Sequence, residues 1–156
     1  MEIHTLIKGC IAIERAAASI YSNFMRAFPE EKAFWEDLYN DEIGHSSFLA
    51  DAGSQGLFNG LKVHDLPVTV PLIEKTLQFA DNIHSHVQFN PVSFEEACRL
   101  ALKLEETMVE TFTNDVIAHL SGSRSSSFLK RILGEEKAHI EKIRDIMISK
   151  GFMKLS

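Results

Sequence analysis

The sequence predicts an all-α fold in which four long helices form two hairpins joined by one long crossover. Three observations lead there. Apolar residues recur every three to four positions along nearly the whole chain, which is the helical period. Clusters that break helices fall at Pro29, at Gly53, Gly56 and Gly60, and at Ser121-Gly122-Ser123, dividing the chain into paired segments. A lone glutamate inside an apolar stripe is followed about thirty residues later by Glu-x-x-His, and this happens twice.

The first run covers about 3–27, with Ile7, Cys10, Glu14, Ala18, Tyr21 and Met25 on one stripe. Pro29 followed by Glu30 and Glu31 reads as a helix start, with proline early and acids against the positive end of the dipole. The second run, about 30–51, has Trp35, Leu38, Glu42, His45 and Leu49 in line. The third, about 93–120, opens on a capping box, Ser93 with Glu96, and follows Cys98, Ala101, Leu102, Glu105, Met108, Val109, Phe112 and Val116. Serines beside Gly122 can cap the last run, about 124–150, along Leu129, Ile132, Leu133, Glu136, His139, Ile143 and Ile146. The crossover from Gly53 to Pro91 is too long for a tight turn and is expected to hold a shorter helix over about 71–86. Two hairpins with one long connection match the ferritin-like version of a four-helix bundle, here a single domain over 1–156.

Composition narrows the function classes. With 45% apolar and 24% charged residues the chain can bury a real core, which excludes disorder. A net charge of −6 without a basic stripe argues against nucleic acid. No apolar run reaches the length of a membrane span, and the start, MEIHTLIKGC, lacks a signal-like apolar core, so a cytoplasmic protein is expected. Cys10 and Cys98 belong to no Cys-x-x-Cys pair, which excludes a four-thiolate centre; both are expected as buried thiols.

The chemistry lies in Glu14 with Glu42-x-x-His45, and Glu105 with Glu136-x-x-His139. Residues three apart on a helix share one face, so each Glu-x-x-His can grip one ion. With 15 Glu and 7 His, about 0.7 chance matches to Glu-x-x-His are expected, so the motif alone carries little; Asp81-x-x-His84 is such a decoy. The register carries more. Glu14 lies 14 residues before Phe28 in the first turn and Glu42 lies 14 after it, which puts both about 21 Å from the bend. Glu105 and Glu136 are likewise centred on the second turn. Four carboxylates and two imidazoles meeting in a core require positive charge among them, and the set reads as a two-metal site. Oxygen-rich ligation with one imidazole per ion suits iron or manganese, and zinc could occupy the site without redox chemistry.

The stretches AIERAAASIY (12–21), DEIGH (41–45), ALKLEETMVETF (101–112) and EEKAH (135–139) resemble the rubrerythrin branch of the ferritin-like di-iron superfamily, whose ligand set bacterioferritins share. The resemblance covers nearly the whole chain. It implies that Glu14 and Glu105 each bind or bridge, with Glu42, His45, Glu136 and His139 completing the set. It selects Glu105 over its neighbour Glu106, which is left exposed, and it implies that Tyr21 hydrogen-bonds a ligand carboxylate. It further implies a di-iron oxidoreductase that reduces peroxide or dioxygen, re-reduced by an external electron donor and assembled as a homodimer. Departures from the family's peroxidases are Met108, where those carry a further carboxylate, Phe112 in place of a second tyrosine, and the missing rubredoxin-like domain. The alternatives are ferrous-iron oxidation and iron handling in the manner of bacterioferritin, which needs a hollow shell, or a structural or sensory metal-binding bundle. His4, His64, His84, His86 and His119 read as peripheral, and Trp35 as core.

Overall fold

In a computed structural model the backbone is described over residues 3–56, 62–63, 66–111, 120–121 and 123–155, and side chains over 4–56, 71–111 and 130–155. Apart from turns, the carboxyl-terminal stretch after the last helix and one short strand pairing, the described chain is helical. Helix α1, Ile3–Ala27, ends where the Phe28 N–H still reaches the Phe24 carbonyl at 2.9 Å. Pro29 cannot continue the ladder and opens a 3₁₀ turn, Pro29–Glu31, instead of the α-helical start expected at 30. Helix α2 then covers Lys32–Ser54, past the expected end at 51. Gly56, at φ 75°, turns the chain out of it, a conformation that costs glycine nothing.

The crossover departs most from expectation. Its helix, α3, is not a short piece over 71–86 but covers Leu66–Phe89, about as long as α2. Pro67, at the second helical position, suits a helix start, so Pro71 lies inside rather than at the beginning. Helix α4 is Phe94–Thr111. The Ser93 hydroxyl accepts from the Glu96 N–H at 3.1 Å, capping it as expected, while the Glu96 carboxylate turns away to His86 at 3.0 Å. The expected continuation to 120 is not found at its end: Leu120–Ser121 (β2) pairs antiparallel with Lys62–Val63 (β1) in the crossover. Phe112, Val116 and His119 lie outside the described residues, as does His64.

Helix α5 covers Ser123–Ser149. It ends on Gly151 at φ 77°, with Phe152 N–H to Met147 O at 2.8 Å and Gly151 N–H to Ile148 O at 3.0 Å, a Schellman close. The cap delivers Phe152 onto Phe94, where Arg99 donates to the Phe152 carbonyl at 3.0 Å, and so ties the end of α5 to α4.

Helix α1 packs along α2 and α3, and α4 along α5 and α3. Three cross-links, Glu31–Lys150 (2.9 Å), Asp37–Lys142 (2.9 Å) and Asp41–His139 (2.8 Å), run in opposite directions along α2 and α5 and set those helices antiparallel. Gly9 lets α3 approach α1 closely, since a Cβ there would stand 2.7 Å from Ile73 Cγ2. This third neighbour explains why α1 buries more than its expected stripe: Leu6, Ile13, Ala17, Ile20 and Phe24 are also fully enclosed. At the end near the first turn Trp35 is the hub of an aromatic cluster, with ring centroids 4.7 Å from Phe24, 4.8 Å from Phe34 and 5.9 Å from both Tyr21 and Phe94. That cluster fixes the ends of α1, α2 and α4 relative to one another. Among the described residues no helix is long and apolar enough to cross a membrane.

Candidate metal centre

Four helices each send a glutamate to one point in this core. Glu14 (α1), Glu42 (α2), Glu105 (α4) and Glu136 (α5) are all 0% exposed, and His45 and His139 are buried beside them. Two groups of side chains present ligand atoms within 4.8 Å of one another: Glu14, Glu42, His45 and Glu136, then Glu42, Glu105, Glu136 and His139. Glu42 and Glu136 belong to both. The shared carboxylates are therefore those of the two Glu-x-x-His motifs, while Glu14 and Glu105 each serve one group. The resemblance implied that Glu14 and Glu105 each bind or bridge; here each lies in one group only, while Glu42 and Glu136 lie in both.

Both imidazoles turn the same edge inward. His45 Nδ1 lies 3.0 Å from Glu136 and 3.5 Å from Glu14; His139 Nδ1 lies 3.0 Å from Glu42 and 3.3 Å from both Glu105 and Glu136. The outer nitrogens face carboxylates of the opposite helix. His139 Nε2 meets Asp41 at 2.8 Å, and His45 Nε2 meets Glu135. Each of these acids immediately precedes the glutamate of a motif, so the pattern is acid-Glu-x-x-His twice over, and each leading acid holds the other motif's histidine. Reading the motifs from their glutamates missed both residues, although the doubled acids were in plain view.

The donor set fits a pair of divalent cations. Both oxygens of Glu14 and of Glu42, one oxygen each of Glu105 and Glu136, and His139 Nδ1 are buried without a hydrogen-bond partner. Buried acceptors without partners cost free energy unless a cation takes their lone pairs. Two protonated histidines would still leave two of the four carboxylate charges uncompensated, whereas two divalent ions with neutral histidines balance all four. Without cations, protons must take that role. Burial, then Glu136, Glu14 and Glu105, raises the Glu42 carboxyl well above its ordinary range; burial and Glu136 do the same to Glu105. For His45 burial acts downward but Glu136 and Glu14 outweigh it, and the ring is pushed up to about 11; His139 reaches about 11 against Glu105 and Glu136 in the same way.

Tyr21 donates to Glu105 Oε1 at 2.5 Å and is itself fully buried, with its phenol held well above its ordinary pKa by burial and the adjacent Glu105 and Glu42 charges. It remains a donor across the working pH range. Met108, one turn beyond Glu105, is fully buried, and Glu106 stays at the surface, 3.6 Å from Arg144. Cys10 and Cys98 are free and buried; burial raises both thiols, Cys98 to about 12, and neither joins the cluster. His4 is exposed, His84 half-buried, and His86 pairs with Glu96, so none of the three joins the centre. A cavity of about 240 Å³ between α2 and α5, bordered by Asp41, Gly44, Phe48 and Glu135, opens onto His45 and gives the centre its contact with solvent.

Comparison with protein-family models, with curated proteins and with solved structures found no match for this chain.

Proposed function

We propose that the chain is a rubrerythrin-like, ferritin-like four-helix protein whose centre binds two iron ions and reduces peroxide or dioxygen. The observation that carries this reading is the overlap of the two ligand groups at Glu42 and Glu136. Overlap would let Glu42 and Glu136 serve two cations held by neighbouring groups, and a pair of redox metals would supply a two-electron step on a small oxidant. Bound iron would supply the electrons and the affinity for oxygen; everything else is work for the polypeptide. Glu14 with His45 would complete the group holding one ion, and Glu105 with His139 the group holding the other. Asp41 and Glu135 fix the histidine tautomers, and Tyr21 holds Glu105 in place with its O–H. Among the described residues the six ligand side chains are buried, and a cavity opens beside His45. An external reductase restores the reduced state, and the assembly is a homodimer.

The experiment is anaerobic loading with ferrous ion followed by a peroxide pulse, with oxidation followed by absorbance. The reading requires oxidation much faster than for ferrous ion in buffer; an equal rate ends it. Buried Met108, standing where a further carboxylate would let one ion change ligands, favours a second reading, ferrous-ion oxidation with the product handed on. Gel filtration separates the two, since storage needs a large hollow shell and the peroxidase does not.

A further inference from the structure

We infer that a second site, separate from the metal centre, binds a small phosphate-bearing ligand on the outer face of α1. A cavity of about 460 Å³ lies between α1, α2 and α3, within the size range of small-molecule sites. Arg15, Ser19, Ser22 and Arg26 line it from α1, Tyr39 and Ile43 from α2, and His84 from α3. The four α1 residues recur at spacings of four, three and four, which makes one continuous stripe along that helix.

The chemistry of the lining is one-sided. No carboxylate is part of it, in a chain whose net charge is −6.

 Among the described residues the Arg15 guanidinium, the Tyr39 hydroxyl and the His84 ring have no hydrogen-bond or ion-pair partner, and Arg26 touches only the Ser22 oxygen, at 3.0 Å. Ser22 Oγ accepts there, which leaves its O–H free to donate into the cavity. Two guanidinium forks, a phenol, a hydroxyl and an imidazole thus offer donors with no acceptor opposite them. A phosphate, with three terminal oxygens and up to two charges, satisfies more of these donors than a carboxylate does. The Cα atoms of Arg15 and Arg26 stand about 16 Å apart along the helix, so a ligand that engages both side chains must be extended, which favours a polyphosphate or a phosphate ester over a single small anion.

The test is isothermal titration calorimetry of the full chain with inorganic tripolyphosphate, at about 0.15 M salt so that diffuse attraction is screened. Saturable binding of about one probe per chain is expected, weakened about tenfold or more by Arg15→Ala and by Arg26→Ala, and less by Arg26→Lys, which keeps the charge but loses the fork. Lys8→Ala removes the same charge from the same helix outside the cavity and is expected to leave binding unchanged. Circular dichroism melts show whether each variant still folds; all three substituted side chains are exposed. Absence of binding, or equal loss in Lys8→Ala, overturns the inference. So does loss of binding after the protein is stripped with a chelator, since the probe would then be sitting on a metal ion.

Discussion

The outer nitrogen of His139 lies 2.8 Å from Asp41, and its inner nitrogen lies 3.0 Å from Glu42, the next residue along α2. Two consecutive acids thus address the two edges of one ring: Asp41 from the solvent side, Glu42 from within. A partner on the outer nitrogen fixes which nitrogen is free to bind a cation. Asp41→Asn is expected to lower metal affinity about 10–100-fold, measured by competition with a coloured chelator. Asp41 is half exposed, so the melting temperature of the metal-free protein should move little. Unchanged affinity would show that the ring is oriented without Asp41.

Glu42 and Glu14 differ in a way that stoichiometry can read. Glu42 belongs to both ligand groups and Glu14 to one. Glu14→Ala should therefore retain about one tightly bound ion per chain, and Glu42→Ala about none, by elemental analysis after desalting. Metal-free Glu42→Gln should also melt higher than the metal-free parent at high pH, because it removes the like-charge repulsion from Glu136, Glu14 and Glu105 that holds the Glu42 carboxyl high. Equal metal loss in the two alanine variants would contradict the sharing.

Protons stand in for cations when the centre holds none, and this fixes the sign of the pH dependence. Glu42 and Glu105 are raised above an ordinary value of 4.5, and His45 and His139 rise from 6.5 to about 11. For all four the folded protein holds protons that the unfolded chain releases. Their stabilisation is complete below the unfolded values and is lost as pH rises towards the folded ones. The metal-free protein should melt lower at about pH 8.5 than at about pH 5.5, while the increase in melting temperature on adding a divalent ion grows over the same window. Scanning calorimetry with and without the ion checks both; a metal-free melting temperature that climbs with pH contradicts the account.

Tyr21→Phe leaves the ring in place and removes only the O–H that Glu105 Oε1 accepts. Leaving that buried oxygen without its donor should cost about 1–3 kcal/mol in the metal-free protein, read from urea denaturation. A cost near zero would mean that Glu105 finds another donor.

Gly9→Ala tests the contact that holds α3 on α1. Alanine favours helix by about 1 kcal/mol over glycine, but its Cβ would stand 2.7 Å from Ile73 Cγ2. The clash should win, with a net loss of about 1–3 kcal/mol. Combining Gly9→Ala with Ile73→Ala removes the obstructing methyl, so the double variant should be more stable than the two single losses predict. Simple additivity would place Ile73 elsewhere.

Much of the architecture could be read from the chain, because helix and its ends are encoded locally. The apolar period marked α1, α2, α4 and α5, the Ser93 cap marked the start of α4, and Gly151 marked the end of α5. The six side chains of the centre were legible for a related reason: a carboxylate in an apolar stripe is conspicuous, and counting from the turns levels it with its partners. The full extent of α3 was not legible. Pro71 looks like a helix start, and only Pro67, one turn earlier, accounts for the longer helix.

Tertiary structure alone decided which carboxylates are shared, which acids hold the outer histidine nitrogens, and which face of α1 meets α3. Each depends on the separation and rotation of helices far apart in sequence, and helical spacing fixes a residue's height and face but not its distance to another helix. Sequence therefore determined which residues gather at the centre. The packing of α2 against α5 determined that Glu42 and Glu136 lie between the two groups, with Asp41 and Glu135 behind the opposing rings.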